Sequence, residues 1–181
     1  MGEIASKEQL RASFLRWAIV AVPLIVLLGT LSGMAAGSSM NNYWFSQLHK
    51  PAIMPPGWAF GVAWTILYIL MGLAVSHVLN ARRAAGKACA LCLFALQLVM
   101  NLGWSPLFFR LHRVVEAFWL IIALLLVSAI ATIAMARVRR VAGWLMIPYL
   151  LWLCYAATLN WQIIRLNPDV GNAGVFDFRL G

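Results

Sequence analysis

The residues of this chain that could do chemistry are few, and most stand where chemistry is hard to do. Its five acids are Glu3, Glu8, Glu116, Asp169 and Asp177, and none falls in the middle of an apolar run. Lys7, Lys50 and Lys87 sit at the edges of such runs, and His49, His77 and His112 at their ends or between them. A proton-coupled pump needs an intramembrane carboxylate, and a Schiff-base chromophore needs a buried lysine. Neither is available. The histidine positions argue equally against a haem iron held by two axial imidazoles. Cys89-x2-Cys92 has the spacing of a metal or redox half-site, but no second pair accompanies it, so the two read as small residues on a helix. With no nucleophile–base pair and no metal-ligand cluster, conventional hydrolytic or metal catalysis has nothing to work with.

What remains inside the apolar runs is aromatic and amide. Gln97, Asn101, Trp104 or Ser105, and Phe108 recur at helical spacing and form one stripe. Trp152, Ala156 and Leu159 or Asn160 form a second, and Trp64 with Tyr68 a third. Three helices aiming polar-tipped aromatics at one space would hold a flat, mostly apolar ligand with a few hydrogen-bonding groups. Taken alone, Gln97, Asn101 and Asn160 read first as glue between helices. Among the nine tryptophans, Trp17, Trp58 and Trp144 lie near run ends and read as interfacial anchors. Trp64 and Trp152 lie deeper and fit a pocket better.

Long apolar helices must carry these stripes. The chain has 181 residues, 64% hydrophobic and only 10% charged, against roughly 25% charged in a soluble protein. The expectation is a single all-α integral membrane domain, a five-transmembrane-helix bundle. Its spans are Trp17–Ala36, Trp58–Asn80, Ala88–Phe109, Val114–Ala136 and Gly143–Ile164, each near or above the roughly 20 residues that cross a bilayer. A polar arm (1–16), read as a short cytoplasmic helix or a frayed end, precedes the membrane domain (17–167), and a polar tail (168–181) follows it. Lys7, Arg11 and Arg16 before the first run, with a weak cleavage site at Met34-Ala35-Ala36-Gly37, raise a signal peptide. A signal core is usually shorter than this run, which is therefore read as the first span. Gly29-x3-Gly33-x3-Gly37 allows close helix approach, either in a dimer or within the bundle.

The net charge of +9 comes from 14 basic residues clustered between the apolar runs. That is the placement of juxtamembrane anchors facing the lipid bilayer, not of a nucleic-acid surface. Nine lysines and arginines fall on the side of the amino terminus and five on the other. The positive-inside rule then puts the amino terminus in the cytoplasm, with a bacterial inner membrane preferred to an outer one.

Three of the four links are short; only the one from Gly37 to Gly57 is long. It passes through Lys50-Pro51 and Pro55-Pro56, where each proline fixes its own φ and restrains the residue before it. A long, stiffened connection beside aromatic helix faces reads as a lid over a pocket.

The stretch W-x3-L-x-K-P-x3-P-P-x-W-x-F-G-x2-W-x3-Y, from Trp44 to Tyr68, resembles the tryptophan-rich sensory protein / translocator protein family, also called the peripheral benzodiazepine receptor family. Gln97–Phe109 and Pro148–Trp161 resemble it too, so the likeness covers roughly residues 17–167. It implies a five-helix bundle, often a homodimer, that binds porphyrins and, in animals, cholesterol and synthetic ligands. Residue by residue, it implies a pocket of Trp44, Phe60, Trp64, Tyr68, Gln97, Asn101, Trp104, Phe108, Trp152, Ala156 and Leu159. Porphyrin or haem is implied as ligand, with no obligatory cofactor. The family's animal sterol motif has a tyrosine where this chain has Trp161, and Glu116 stands where some relatives have an aromatic. The implied role is a sensor or carrier rather than an enzyme. The rivals are light-dependent porphyrin degradation using Trp44 and Trp64, and a membrane scaffold without ligand.

Overall fold

The computed structural model describes residues 7–38, 42–82 and 84–169. The start of the polar arm (Glu3 included), Arg83, and the tail from residue 170, with Asp177 and Arg179, lie outside the described residues. The elements are α1 (Lys7–Ala36), α2 (Tyr43–Gln47), α3 (Gly57–Asn80), α4 (Lys87–Ser105), a π-helical turn (Pro106–Arg110), α5 (Val114–Val138) and α6 (Arg140–Leu166). Five helices, α1, α3, α4 with its π turn, α5 and α6, are long and apolar enough to cross a membrane.

The polar segment before residue 17 is not all without structure: α1 begins at Lys7 and runs unbroken into the first span. Its residues 7–16 contain no glycine or proline to stop it. The connection from Gly37 to Gly57 is not wholly a loop either. It contains α2, whose N-cap is Asn42, with its side chain accepting from the Phe45 amide at 3.0 Å. A side-chain oxygen there satisfies one of the orphan donors of a helix start.

The half of the bundle at the amino-terminal end is close-packed. A Cβ added at Gly72 would lie 2.7 Å from the Val22 Cα, so α1 and α3 meet backbone to backbone. At the α5–α6 corner, a Cβ at Gly143 would lie 2.5 Å from the Ala136 Cβ. Met71, Ala74, Ala90, Met135, Ala142 and Met146 fill the space between, all with no exposed surface. Gly29 packs its bare backbone on the Tyr68 ring, so this glycine of the α1 stripe serves the bundle.

At mid-depth a polar bridge ties three helices together. The Tyr68 hydroxyl donates to Asn101 Oδ1 at 3.1 Å, and Asn101 Nδ2 donates to the Tyr149 hydroxyl at 3.2 Å. In an apolar core such groups must find partners, since an unpaired one costs far more than its bond gains.

Candidate functional site

Above that bridge the helices part around a cavity of about 600 Å³. Its shape starts with Pro106. A proline has no N–H and its ring crowds the carbonyl four residues back, here that of Leu102. The chain answers with the π turn Pro106–Arg110, in which the Leu111 amide bonds the Pro106 carbonyl at 3.0 Å. The freed Leu102 carbonyl accepts instead from the Ser32 hydroxyl on α1, at 2.6 Å. This irregular turn presents Phe108 and Phe109 beside Trp104, with the Trp104 and Phe108 rings stacked at 5.0 Å.

The opposite wall is tryptophan. Trp64 stacks on Tyr68 at 5.3 Å and meets the edge of Trp152 at 6.2 Å, while Phe60 meets Trp152 at 5.9 Å. The floor is the Tyr68–Asn101 pair with Leu124 and Leu153. Among the described residues, no ionisable acid or base other than the Tyr68 phenol lines the space. Several of its polar groups are engaged within the protein. Trp104 Nε1 donates to the Ala117 carbonyl at 3.1 Å, and Asn160 Nδ2 to the Val114 carbonyl at 3.2 Å. Of the fully buried polar side-chain atoms on lining residues, two have no protein partner: the Trp152 Nε1 donor and the Asn160 Oδ1 acceptor.

Phe60, Trp64, Tyr68, Asn101, Trp104, Phe108, Trp152, Ala156 and Leu159 all line this cavity. Trp44 does not. Its indole lies behind Phe108, edge-on at 5.7 Å, and is stacked on His112 at 4.2 Å. His112 holds the turn before α5 at φ 56, a left-handed conformation uncommon outside glycine. Gln97 does not line it either. It shares a helix face with Asn101 but lies about 6 Å further along the axis at 1.5 Å per residue. The tyrosine–asparagine floor therefore comes first. Gln97 is fully buried, with neither amide atom hydrogen-bonded. Glu116 is likewise off the cavity, 3.5 Å from Arg113.

The long connection packs on the π turn, α5 and α6. Phe45 and Leu48 are buried against Phe108, Val114, Ala117 and Ile163. Lys50 Nζ sits 5.2 Å over the Phe45 ring, a cation–π contact. Asn167 holds His49 by both peptide groups, at 2.9 and 3.0 Å, and the Tyr155 hydroxyl holds the Ile53 carbonyl at 2.7 Å. Phe45 and Met54 reach the cavity, whereas Lys50, Pro51, Pro55 and Pro56 do not.

The sequence reading missed the wall from α1, namely Gly29, Thr30, Gly33 and Met34, and the contribution of α5, Ile121 and Leu124. The glycine stripe was the available signal for the first. Nothing distinguished the α5 residues from ordinary core. Among the described residues no group of histidine, cysteine or acid side chains could hold a metal ion.

A family model described as the TspO/MBR family matches residues 20–166. A tryptophan-rich protein TspO of Chlorobaculum tepidum is 38% identical over 128 residues, covering 70% of this chain and 81% of the relative. The tryptophan-rich sensory protein of Cereibacter sphaeroides is 38% identical over 124 residues, covering 68% and 77%. The human translocator protein is 35% identical over 129 residues, covering 68% and 75%.

Proposed function

Since this chain belongs to the TspO/MBR family and is an integral, multi-pass membrane protein, we propose that it is a membrane sensor or carrier for a porphyrin or a similar flat amphipathic molecule, such as a sterol, held in the cavity. One observation carries the reading. A space of about 600 Å³ is walled by Trp64, Trp152, Trp104 and Phe108, and hydroxyl and amide side chains, among them Thr30, Ser105 and Asn160, stand along the same wall. That size lies within the range of small-molecule sites, and aromatic walls with a few polar groups are their usual composition. An uncharged lining favours an apolar ring system whose charged substituents, if any, stay at the rim. A scaffold acting without ligand would have no use for such a space.

The proposal includes the orientation given by the positive-inside count, with the amino terminus in the cytoplasm, and a homodimer of the kind the family resemblance implies. The experiment is a titration of the purified protein with protoporphyrin IX, haem and cholesterol, followed by quenching of tryptophan fluorescence or by competition. Saturable binding of a porphyrin, weakened in Trp64→Ala and Trp152→Ala, is the expected result. Failure of all three to bind saturably would overturn the reading.

A further inference from the structure

From how the seams around the cavity are closed, we infer that the ligand enters sideways from the bilayer, through a slot between α1 and α3, and not through the loop side. This rests on the cavity being a ligand site, and it adds the route and therefore the ligand class: molecules dissolved in the membrane.

Four of the five helix seams around the cavity carry cross-links. Ser32 bonds Leu102 at 2.6 Å and Arg110 bonds the Ala35 carbonyl at 3.4 Å, closing α1 to α4 and its π turn. Trp104 closes α4 to α5 through Ala117, and Asn160 closes α5 to α6 through Val114. Trp152 closes α6 to α3 by its edge contacts with Phe60 and Trp64. The roof is tied down at His49 by Asn167 and at Ile53 by Tyr155.

The fifth seam is different. At Gly72–Val22 and again at Gly29–Tyr68, α1 and α3 are in close contact. Beyond Gly29, among the described residues, no hydrogen bond or ring contact joins them. The glycines measure the parting: a Cβ added at Gly61 would meet nothing within 4 Å, and one at Gly33 only Ser38 Oγ at 3.1 Å.

Exposure identifies the same side. The exposed residues of the cavity wall that lie on the spanning helices, Thr30, Met34, Trp58, Gly61 and Thr65, all belong to α1 and α3. Met34 and Trp58 are each 72% exposed while lining the cavity. Lining residues of α4, α5 and α6 are buried or half-buried. Around the slot the outer surface is apolar, with Leu27, Leu31, Val62 and Ile66 facing outward. In a membrane protein that surface meets acyl chains, not water.

The test closes each route reversibly. Cys89, Cys92 and Cys154, all exposed, are first replaced by serine. Met34→Cys and Gly61→Cys, which the α1–α3 register places at one level, are joined by a short bis-maleimide containing a disulfide. In a second protein Ile53→Cys is joined to Tyr155→Cys, fastening the roof. Each is placed in lipid nanodiscs, and exchange of protoporphyrin IX with donor vesicles is followed by fluorescence. Linking the slot should slow exchange about tenfold, a change read as a rate and not as an affinity. Reduction of the linker should restore it, and the roof link should change it less than about twofold. If exchange in the slot-linked protein stays within about twofold of the unlinked one, the route is wrong. If the unlinked protein shows no saturable porphyrin binding, the ligand reading itself fails, and the route with it.

Discussion

The two halves of this bundle are made of the same five helices and use them in opposite ways. Toward the amino-terminal end, small residues bring backbones together: Gly72 on Val22, Gly143 on Ala136, with Ala74, Ala90 and Ala142 fully buried. Toward the loop end, large aromatics hold the helices apart, and their rings meet edge to face around a void. In lipid, close packing is the main attraction between helices. A half that gives it up must be held by specific bonds instead. This one is: Ser32, Trp104, Asn160, Tyr155 and Asn167 each bond a carbonyl on another segment. The closed half confers stability, and the open half leaves the space proposed for binding.

The contrast is broken most severely at its glycines. Gly72→Ala should destabilise the protein by about 2–3 kcal/mol, because the obstructing atom is backbone and cannot swing away. Gly61→Ala, in the open half, should leave stability unchanged or raise it by up to about 1 kcal/mol through helix propensity. Thermal unfolding in detergent compares the two; equal losses would dissolve the distinction.

Next in size are the aromatics. Trp64→Ala and Trp152→Ala should each weaken porphyrin binding by about 2 kcal/mol, or roughly 30-fold, by removing a large wall face. Trp17→Ala, outside the cavity, should leave it unchanged. Tyr68→Phe acts on the boundary between the halves. It strips Asn101 Oδ1 of its donor and should cost about 1 kcal/mol of stability, seen again as a lower unfolding temperature. The smallest effect is expected of Ser32→Ala, about 0.6 kcal/mol, the average for such bonds between membrane helices.

The sequence read well wherever a property depends on one segment. Span number follows from the length of apolar runs, and the faces of Trp64, Tyr68, Asn101 and Trp152 follow from helical spacing. It read poorly wherever depth or a distant partner decides. Gln97 and Asn101 share a stripe, yet the floor made by Tyr68 and Tyr149 comes between Gln97 and the cavity. Trp44 looked like a pocket residue, but His112, far along the chain, takes its ring. The prolines of the long connection suggested a stiffened segment. They did not announce that Asn167 and Tyr155 fasten it. Pro106 signalled a break in α4, and only the fold supplies Ser32 to repair it.

The central claim is that the space in the loop-side half is the binding site, and filling that space tests it most directly. Ala156 is a small residue on the cavity wall, and Ala156→Trp would project an indole into the void without touching the closed half. Protoporphyrin IX affinity of this variant, measured alongside its unfolding temperature, is the decisive quantity. The account predicts binding reduced by at least about 100-fold, or near 3 kcal/mol, with the unfolding temperature maintained. Porphyrin binding at the affinity of the unaltered protein, in a variant that remains folded, would contradict it.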